Sequence, residues 1–195
     1  FDWPEGFNDG GAFGTQVALI SLGQIGQRVA RMLQAYDVEV LACDPFCPPG
    51  LAAELGVRLT DLATCFAEAR VVSLHSPLKP ETNGLIDAAL LRRMPLGATL
   101  INTARGGLIH EADLAAVLRE RPDLTALLDV TDPEPPAPES PLYDLENVFI
   151  TPHVAGSIGA ECGRMGHFMV EECRRFLNGQ PLLYQITREA FHQLA

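Results

Sequence analysis

Ser21-Leu22-Gly23-Gln24-Ile25-Gly26 joins a short apolar run to a segment with helical apolar spacing, and it fills two of the three glycine places of a phosphate-cradling G-x-G-x-x-G turn. Gly23 would let the backbone approach a pyrophosphate, whose charge is favoured by the N-terminal N–H groups and dipole of the following helix. Gly26 would let helix and strand pack closely. Ser21 stands where the tight-turn glycine usually is, and Gln24 and Ile25 complete the turn. Asp44 ends the next apolar run eighteen positions after Gly26. That is close to the spacing of about 20 expected of a carboxylate that accepts hydrogen bonds from the adenosine ribose hydroxyls. A carboxylate there also repels a 2′-phosphate, so NAD is expected rather than NADP. Each feature alone has a plainer reading: Gly-x-x-Gly before a helix arises as turn chemistry, and Asp44 precedes Pro45 as a turn residue would.

These groups need a scaffold that brings strand ends together. Gln16 to Ser21 reads as a strand, followed by the turn and a helix with Val29, Met32 and Leu33 at helical spacing. Val38 to Cys43 is a second strand, stopped at Asp44-Pro45 because proline lacks the ladder donor. The alternation continues with a helix at 51–55, a strand at 71–74, a helix at 88–93, a strand at 99–102 and a helix at 111–119. Strands at 124–129 and 148–150 follow, and a long helix runs from about Gly159 to Leu177. Nearly all-apolar strands alternating with helices predict an α/β fold, a doubly wound parallel sheet of Rossmann type covered on both faces. Asp132 to Pro141 carries five prolines and must be an irregular loop. The organisation expected is a linker over residues 1–14, a dinucleotide-binding domain over 15–178 and a C-terminal segment over 179–195.

With a net charge of −11 and a pI near 4.8, the chain would be repelled by phosphate backbones and anionic lipid, so neither nucleic acid nor membrane is expected as a partner. No apolar run approaches the roughly 18 residues of a membrane span, and the N-terminal residues lack the pattern of a signal peptide. Five scattered cysteines without a C-x-x-C pair read as reduced thiols in a cytoplasmic protein, and no metal site is expected.

Four further segments carry a resemblance. His75-Ser76-Pro77-Leu78-Lys79-Pro80-Glu81-Thr82-Asn83-Gly84-Leu85-Ile86, Ile101-Asn102-Thr103-Ala104-Arg105-Gly106-Gly107, Asp129-Val130-Thr131-Asp132-Pro133-Glu134-Pro135 and Thr151-Pro152-His153-Val154-Ala155-Gly156 appear in that order. They resemble the signatures of D-isomer-specific 2-hydroxyacid dehydrogenases. The likeness runs from about Val17 to Gly179 and covers the cofactor domain of that family. It implies Arg105, Glu134 and His153 as catalytic residues. Beyond the glycine turn and Asp44, it implies Ser76, Pro77, Thr82, Thr103, Ala104, Arg105, Asp129, His153 and Gly156 as NAD contacts. Asp129 matches the position that hydrogen-bonds the nicotinamide carboxamide, or it caps a turn. Ile158 departs from the family's usual threonine, leaving Ser157 to cap the last helix.

The implied roles are chemically coherent. Reducing a 2-oxo acid needs a hydride at the carbonyl carbon and a proton at its oxygen, and His153 suits the second task. A carboxylate beside the imidazole fixes its orientation and stabilises the imidazolium, the role implied for Glu134. The Arg105 fork would pair with the substrate carboxylate and polarise the carbonyl. His75, His110, His167 and His192 have no such support and read as structural.

The resemblance also implies a substrate domain that this chain largely lacks, with the tail from Gln180 resembling its return segment. NAD binding with little or no turnover is therefore expected of the chain alone. Small 2-hydroxy or 2-oxo acids are the expected substrates, and a homodimer through the cofactor domain the expected assembly. Two other readings remain: an NAD-binding sensor or corepressor-like module, and a domain that serves assembly alone.

Overall fold

A computed structural model describes residues 11–191. Seven strands, β1 (Gln16–Ile20), β2 (Glu39–Cys43), β3 (Val57–Leu59), β4 (Val71–Leu74), β5 (Thr99–Asn102), β6 (Thr125–Leu128) and β7 (Val148–Ile150), form one sheet in the order β3-β2-β1-β4-β5-β6-β7. Every neighbouring pair is parallel. The helices are α1 (Gln24–Leu33), α2 (Leu51–Glu54), α3 (Leu62–Glu68), α4 (Ala88–Leu91), α5 (Glu111–Glu120), α6 (Ala160–Leu177) and α7 (Arg188–Phe191).

The period of the strands sorts side chains between two cores. Leu19, Val40, Ala42 and Val57 pack with Ala30 of α1 and with Leu55, just after α2. Ala18, Ile20, Leu41, Val72 and Leu74 pack on the other side with Cys65 and Phe66 of α3, Leu91 of α4 and Leu114, Val117 and Leu118 of α5. Alternate residues of β1 thus face opposite layers, the arrangement expected of a sheet sandwiched between helices. From β1 the chain first builds outward through β2 and β3, then crosses back through α3 to β4 on the other side of β1. The strand order reverses between β1 and β4. Ligands of open parallel sheets bind beyond the carboxyl ends of the strands at that point.

Three elements were not foreseen: β3, α3 and the short α7 near the C-terminus. β3 is a three-residue edge strand whose second and third residues are exposed. Its Arg58 bridges Glu39 of β2 at 2.9 Å and Glu68 of α3. α3 begins at Asp61, whose carboxylate accepts from Thr64 N at 2.9 Å and from Thr64 Oγ1 at 2.7 Å. The expected capping of the last helix by Ser157 is corrected: α6 starts from Gly159, with φ of 55° and no side-chain cap. α6 buries no residue, and Met165, Phe168, Met169, Val170 and Phe176 are exposed along it. The tail packs back on α6. Glu172 accepts from Leu183 N at 3.0 Å and Tyr184 N at 2.9 Å, and Phe168 lies 6.0 Å from Tyr184, ring centre to ring centre. Most of the expected linker, and His192, lie outside the described residues.

Candidate active site

Every expected site residue lies at or just beyond the carboxyl edge of the sheet. The turn after β1 comes first. Gly26 is buried against it, and a Cβ there would stand 2.2 Å from the Ser21 carbonyl oxygen, so only glycine permits this approach of helix to strand. Ser21 takes φ of 82°, the left-handed region that the family glycine would occupy without strain. Gly23 precedes α1 with no side-chain cap, and the first turn of α1 has no acidic residue. The first N–H groups of a helix have no intrahelical acceptor. An uncapped helix start, free of acids and reached through an open glycine, fits a pyrophosphate. Gln24 and Ile25 are exposed beside it.

Asp44 stands at the end of β2, where the ribose reading requires it, and it also shapes the turn. One carboxylate oxygen accepts from Leu22 N at 2.7 Å and the other from Phe46 N at 2.8 Å. Each oxygen keeps a second acceptor direction. Across the switch point, Ser76 Oγ donates to Ile20 O at 3.3 Å, fastening the end of β4 to that of β1. Thr82 Oγ1 donates to Pro77 O at 2.6 Å and accepts from Lys79 N at 2.8 Å, which folds the segment after β4. His75, read as structural, lies half-buried with Nε2 3.1 Å from Ser73 Oγ, and burial pushes its pKa down to about 4. It is neutral at physiological pH.

Arg105 follows β5 in a loop shaped by its neighbour. The buried Asn102 donates from Nδ2 to Arg105 O at 2.9 Å and accepts at Oδ1 from Ala104 N at 3.1 Å. The guanidinium is exposed, touching Ala104 O at 2.6 Å, and Thr103 is exposed next to it. Gly106 lies so close to Thr131 that a Cβ would stand 2.0 Å from its carbonyl carbon. The loop of Arg105 and the loop of Glu134 are therefore locked backbone to backbone. Neither Asn102 nor Gly106 was singled out from sequence; an Asn closing the apolar pair Leu100-Ile101 at a strand end is the signal that was available.

Glu134 and His153, nineteen residues apart, meet: His153 Nδ1 is 2.5 Å from Glu134 Oε1, with both side chains a little under half exposed. His153 takes φ of 52°, held by its N–H on Asp129 O and Thr151 O, both at 3.0 Å. Asp129, buried at the end of β6, accepts from Thr151 Oγ1 at 2.5 Å, Val154 N at 2.8 Å and Ala155 N at 2.9 Å. Burial pushes its carboxyl pKa up, but the Thr151 hydroxyl, the two amides and the neighbouring His153 outweigh this and hold it below the ordinary 3.8. A cavity of about 310 Å³ opens beside Asp129, lined by Thr103, Thr151, Val154 and Ala155 and floored by Ile101, Leu127 and Phe149. Gly156 is exposed just beyond it, with open space where a Cβ would stand.

The sign of the Asp129 shift gives a pH dependence. A carboxyl whose pKa is depressed in the folded state stabilises that state fully above its unfolded value and loses the effect as pH falls through the folded one. Amide exchange at Val154 and Ala155 is expected to stay slow down to about pH 4 and to quicken below it, ahead of exchange in β1 and β4. Equal quickening everywhere would contradict a local clamp.

Among the described residues, no group of three or more His, Cys, Asp or Glu side chains is placed to hold a metal ion, and no helix is long and apolar enough to cross a membrane. The five cysteines are free.

Comparison with known proteins shows the family and the fold. The family described as D-isomer specific 2-hydroxyacid dehydrogenase, NAD binding domain, matches residues 2–155. D-3-phosphoglycerate dehydrogenase of Mycobacterium tuberculosis is 40% identical over 168 residues, 86% of this chain and 32% of that protein. (S)-Sulfolactate dehydrogenase of Chromohalobacter salexigens is 41% identical over 165 residues, 84% of this chain and 53% of that one. The structure of D-lactate dehydrogenase with NAD+ from Lactobacillus jensenii superposes with a TM-score of 0.75 at 29% identity, covering 89% of this chain and 56% of that one. The chain thus spans about a third to just over half the length of these relatives.

Proposed function

The chain belongs to the D-isomer specific 2-hydroxyacid dehydrogenase family as its NAD-binding domain, and from that premise we propose that it supplies the acid/base centre for interconverting a 2-hydroxy acid and a 2-oxo acid. The observation that carries this reading is the 2.5 Å contact between His153 Nδ1 and Glu134. A carboxylate only accepts, so Nδ1 carries the hydrogen and Nε2 is left to exchange a proton with the substrate oxygen. Bound at the switch point, NAD supplies the hydride chemistry. The turn from Gly23 to Gly26 holds the pyrophosphate, Asp44 the adenosine ribose, and the loops after β5, β6 and β7 border the nicotinamide. Ser76, Pro77, Thr82, Thr103, Ala104 and Gly156 line the same edge, and the Arg105 fork pairs with the substrate carboxylate.

The acid/base pair favours this reading over a sensor or corepressor-like module, which would bind the dinucleotide with no need of an oriented imidazole. Five free thiols support a reducing, cytoplasmic setting. Pairing of two copies through this domain belongs to the same reading and is tested by sedimentation. A substrate domain that closes over the site excludes water and adds donors for the substrate, so this domain alone turns over little. The test is a screen of 2-oxo acids as oxidants of NADH. The full-length gene product should oxidise NADH with at least one of them, and this chain alone about a hundredfold more slowly or worse. A full-length protein inert to the whole panel would contradict the proposal.

Asp44→Ala removes a charged acceptor, and such bonds are each worth about 1.5–3 kcal/mol. NADH affinity should therefore fall about 10- to 100-fold, while NADPH affinity rises as the repulsion disappears. Unchanged affinity for both would remove Asp44 from the site.

A further inference from the structure

The turn between β1 and α1 is braced from several sides. Ser21 N donates to Cys43 O at 2.9 Å, Leu22 N to the Asp44 carboxylate at 2.7 Å, and Gln27 Nε2 to Leu22 O at 2.8 Å. Ile20 O, just before it, accepts from His75 N at 2.9 Å and from Ser76 Oγ at 3.3 Å. The half-buried Ser21 hydroxyl takes no part in this bracing: among the described residues, nothing donates to it or accepts from it. Its oxygen nevertheless has a definite place. Beyond its chain neighbours, a Cβ built on Gly23 would meet only Ser21 Oγ, at 3.9 Å, and otherwise open space. That open space is where such a turn lets a pyrophosphate approach the backbone, so the hydroxyl stands at its border. A hydroxyl carries one hydrogen that turns to suit an acceptor, and a phosphate oxygen is a charged one. The backbone points the same way. Serine at φ of 82° is strained where glycine would not be, and residues held in this region cluster at ligand clamps.

We propose that Ser21 is a cofactor-binding residue: its Oγ–H donates to a pyrophosphate oxygen of the dinucleotide and adds a side-chain donor to the backbone N–H groups at the start of α1. The proposal rests on the reading of this turn as the NAD site. The departure from glycine is then a gain of one donor rather than an obstruction. What the hydroxyl recognises is the diphosphate bridge, which NADH and ADP-ribose share and a bare nucleoside lacks.

The test uses this chain with Ser21→Ala, which keeps the Cβ and removes the hydroxyl, and separately with Ser21→Gly, which removes both. Calorimetry with NADH and ADP-ribose, and amide-shift titration with adenosine, separate the diphosphate from the nucleoside. Ser21→Ala should weaken binding of NADH and ADP-ribose about tenfold or more, the usual effect of losing a hydrogen bond to a charged group. Adenosine binding should stay within about twofold. Ser21→Gly should show the same loss although it relieves the strain in φ, and it carries the test if the alanine variant does not fold. An alanine variant that binds ADP-ribose as the wild type does would overturn the proposal. So would an equal loss for adenosine, the mark of a distorted turn. A glycine variant that binds ADP-ribose more tightly than the wild type would overturn it too, because the serine would then be obstructing the phosphate. Failure of the wild type to bind ADP-ribose at all would defeat the reading of the turn as the NAD site, and the proposal with it.

Discussion

His153→Ala should lower 2-oxo acid reduction by the full-length protein about 10²- to 10⁴-fold, the usual contribution of a positioned general acid, with NADH affinity within about threefold of wild type. The reason lies in the ring's two nitrogens. Nδ1 is engaged by Glu134, so the proton for the substrate oxygen comes from Nε2, and alanine leaves nothing to replace it. The ring is exposed and packs into neither core, so the loss is one of chemistry rather than of fold. Glu134→Gln keeps the side chain's size and one acceptor oxygen but not the charge that stabilises an imidazolium. It should cost less than His153→Ala, and the double variant should be no worse than His153→Ala alone, because residues acting as a unit are not additive. Steady-state rates of NADH oxidation decide this. Activity within tenfold of wild type in His153→Ala would assign the proton transfer elsewhere.

Gly106→Ala should have the largest effect on stability among single methyl additions near the site. The new Cβ would stand 2.0 Å from the Thr131 carbonyl carbon, 2.1 Å from its oxygen and 2.6 Å from Asp132 N. All three are backbone atoms that no rotamer change can move aside. Neither loop yields easily: β5 and β6 are paired through Asn102 and Leu128, Asp129 N donates to Asn102 O at 2.9 Å, and Thr131 Oγ1 donates to Pro133 O at 2.8 Å. Overpacking of this kind costs about 3 kcal/mol, the upper part of its usual range. For a domain of this size that lowers the thermal midpoint by roughly 6–12 °C. The same displacement moves the loop that carries Arg105 away from the loop that carries Glu134 and should abolish turnover in whatever protein remains folded. A midpoint within about one degree of wild type would show that the two loops are not packed as described.

The signals that were local in sequence were readable in advance, and those that depend on closure of the fold were not. An apolar run followed by Gly23 and Gly26 announced β1, the turn and α1, because the period of burial changes from two to 3.6 at the turn. The parallel sheet followed from strands apolar on both faces. β3 escaped because Val57-Arg58-Leu59 is short and lies at the sheet edge, with a charged residue at its centre that works in ion pairs. α3 escaped although Asp61 and Thr64 carry an N-cap signal, since seven residues give little periodicity to read. At the site, His153, Glu134 and Arg105 were found through motif order rather than from any property of those residues alone. The lock of Gly106 on Thr131 and the grip of Asp129 on residues 151–155 join segments about 25 positions apart. No local pattern encodes them.

One dinucleotide must lie along the carboxyl edge, from the turn after β1 to the loop after β7, for these residues to act together. Backbone amide shifts of this chain on titration with NADH and, separately, with ADP-ribose test that most directly. NADH should move the resonances of Gly23, Gln24 and Gly26 together with those of Thr103, Val154 and Ala155, whereas ADP-ribose should move the first group and leave the second nearly still. Shifts confined to the opposite edge of the sheet, or no shifts with either ligand, would contradict it.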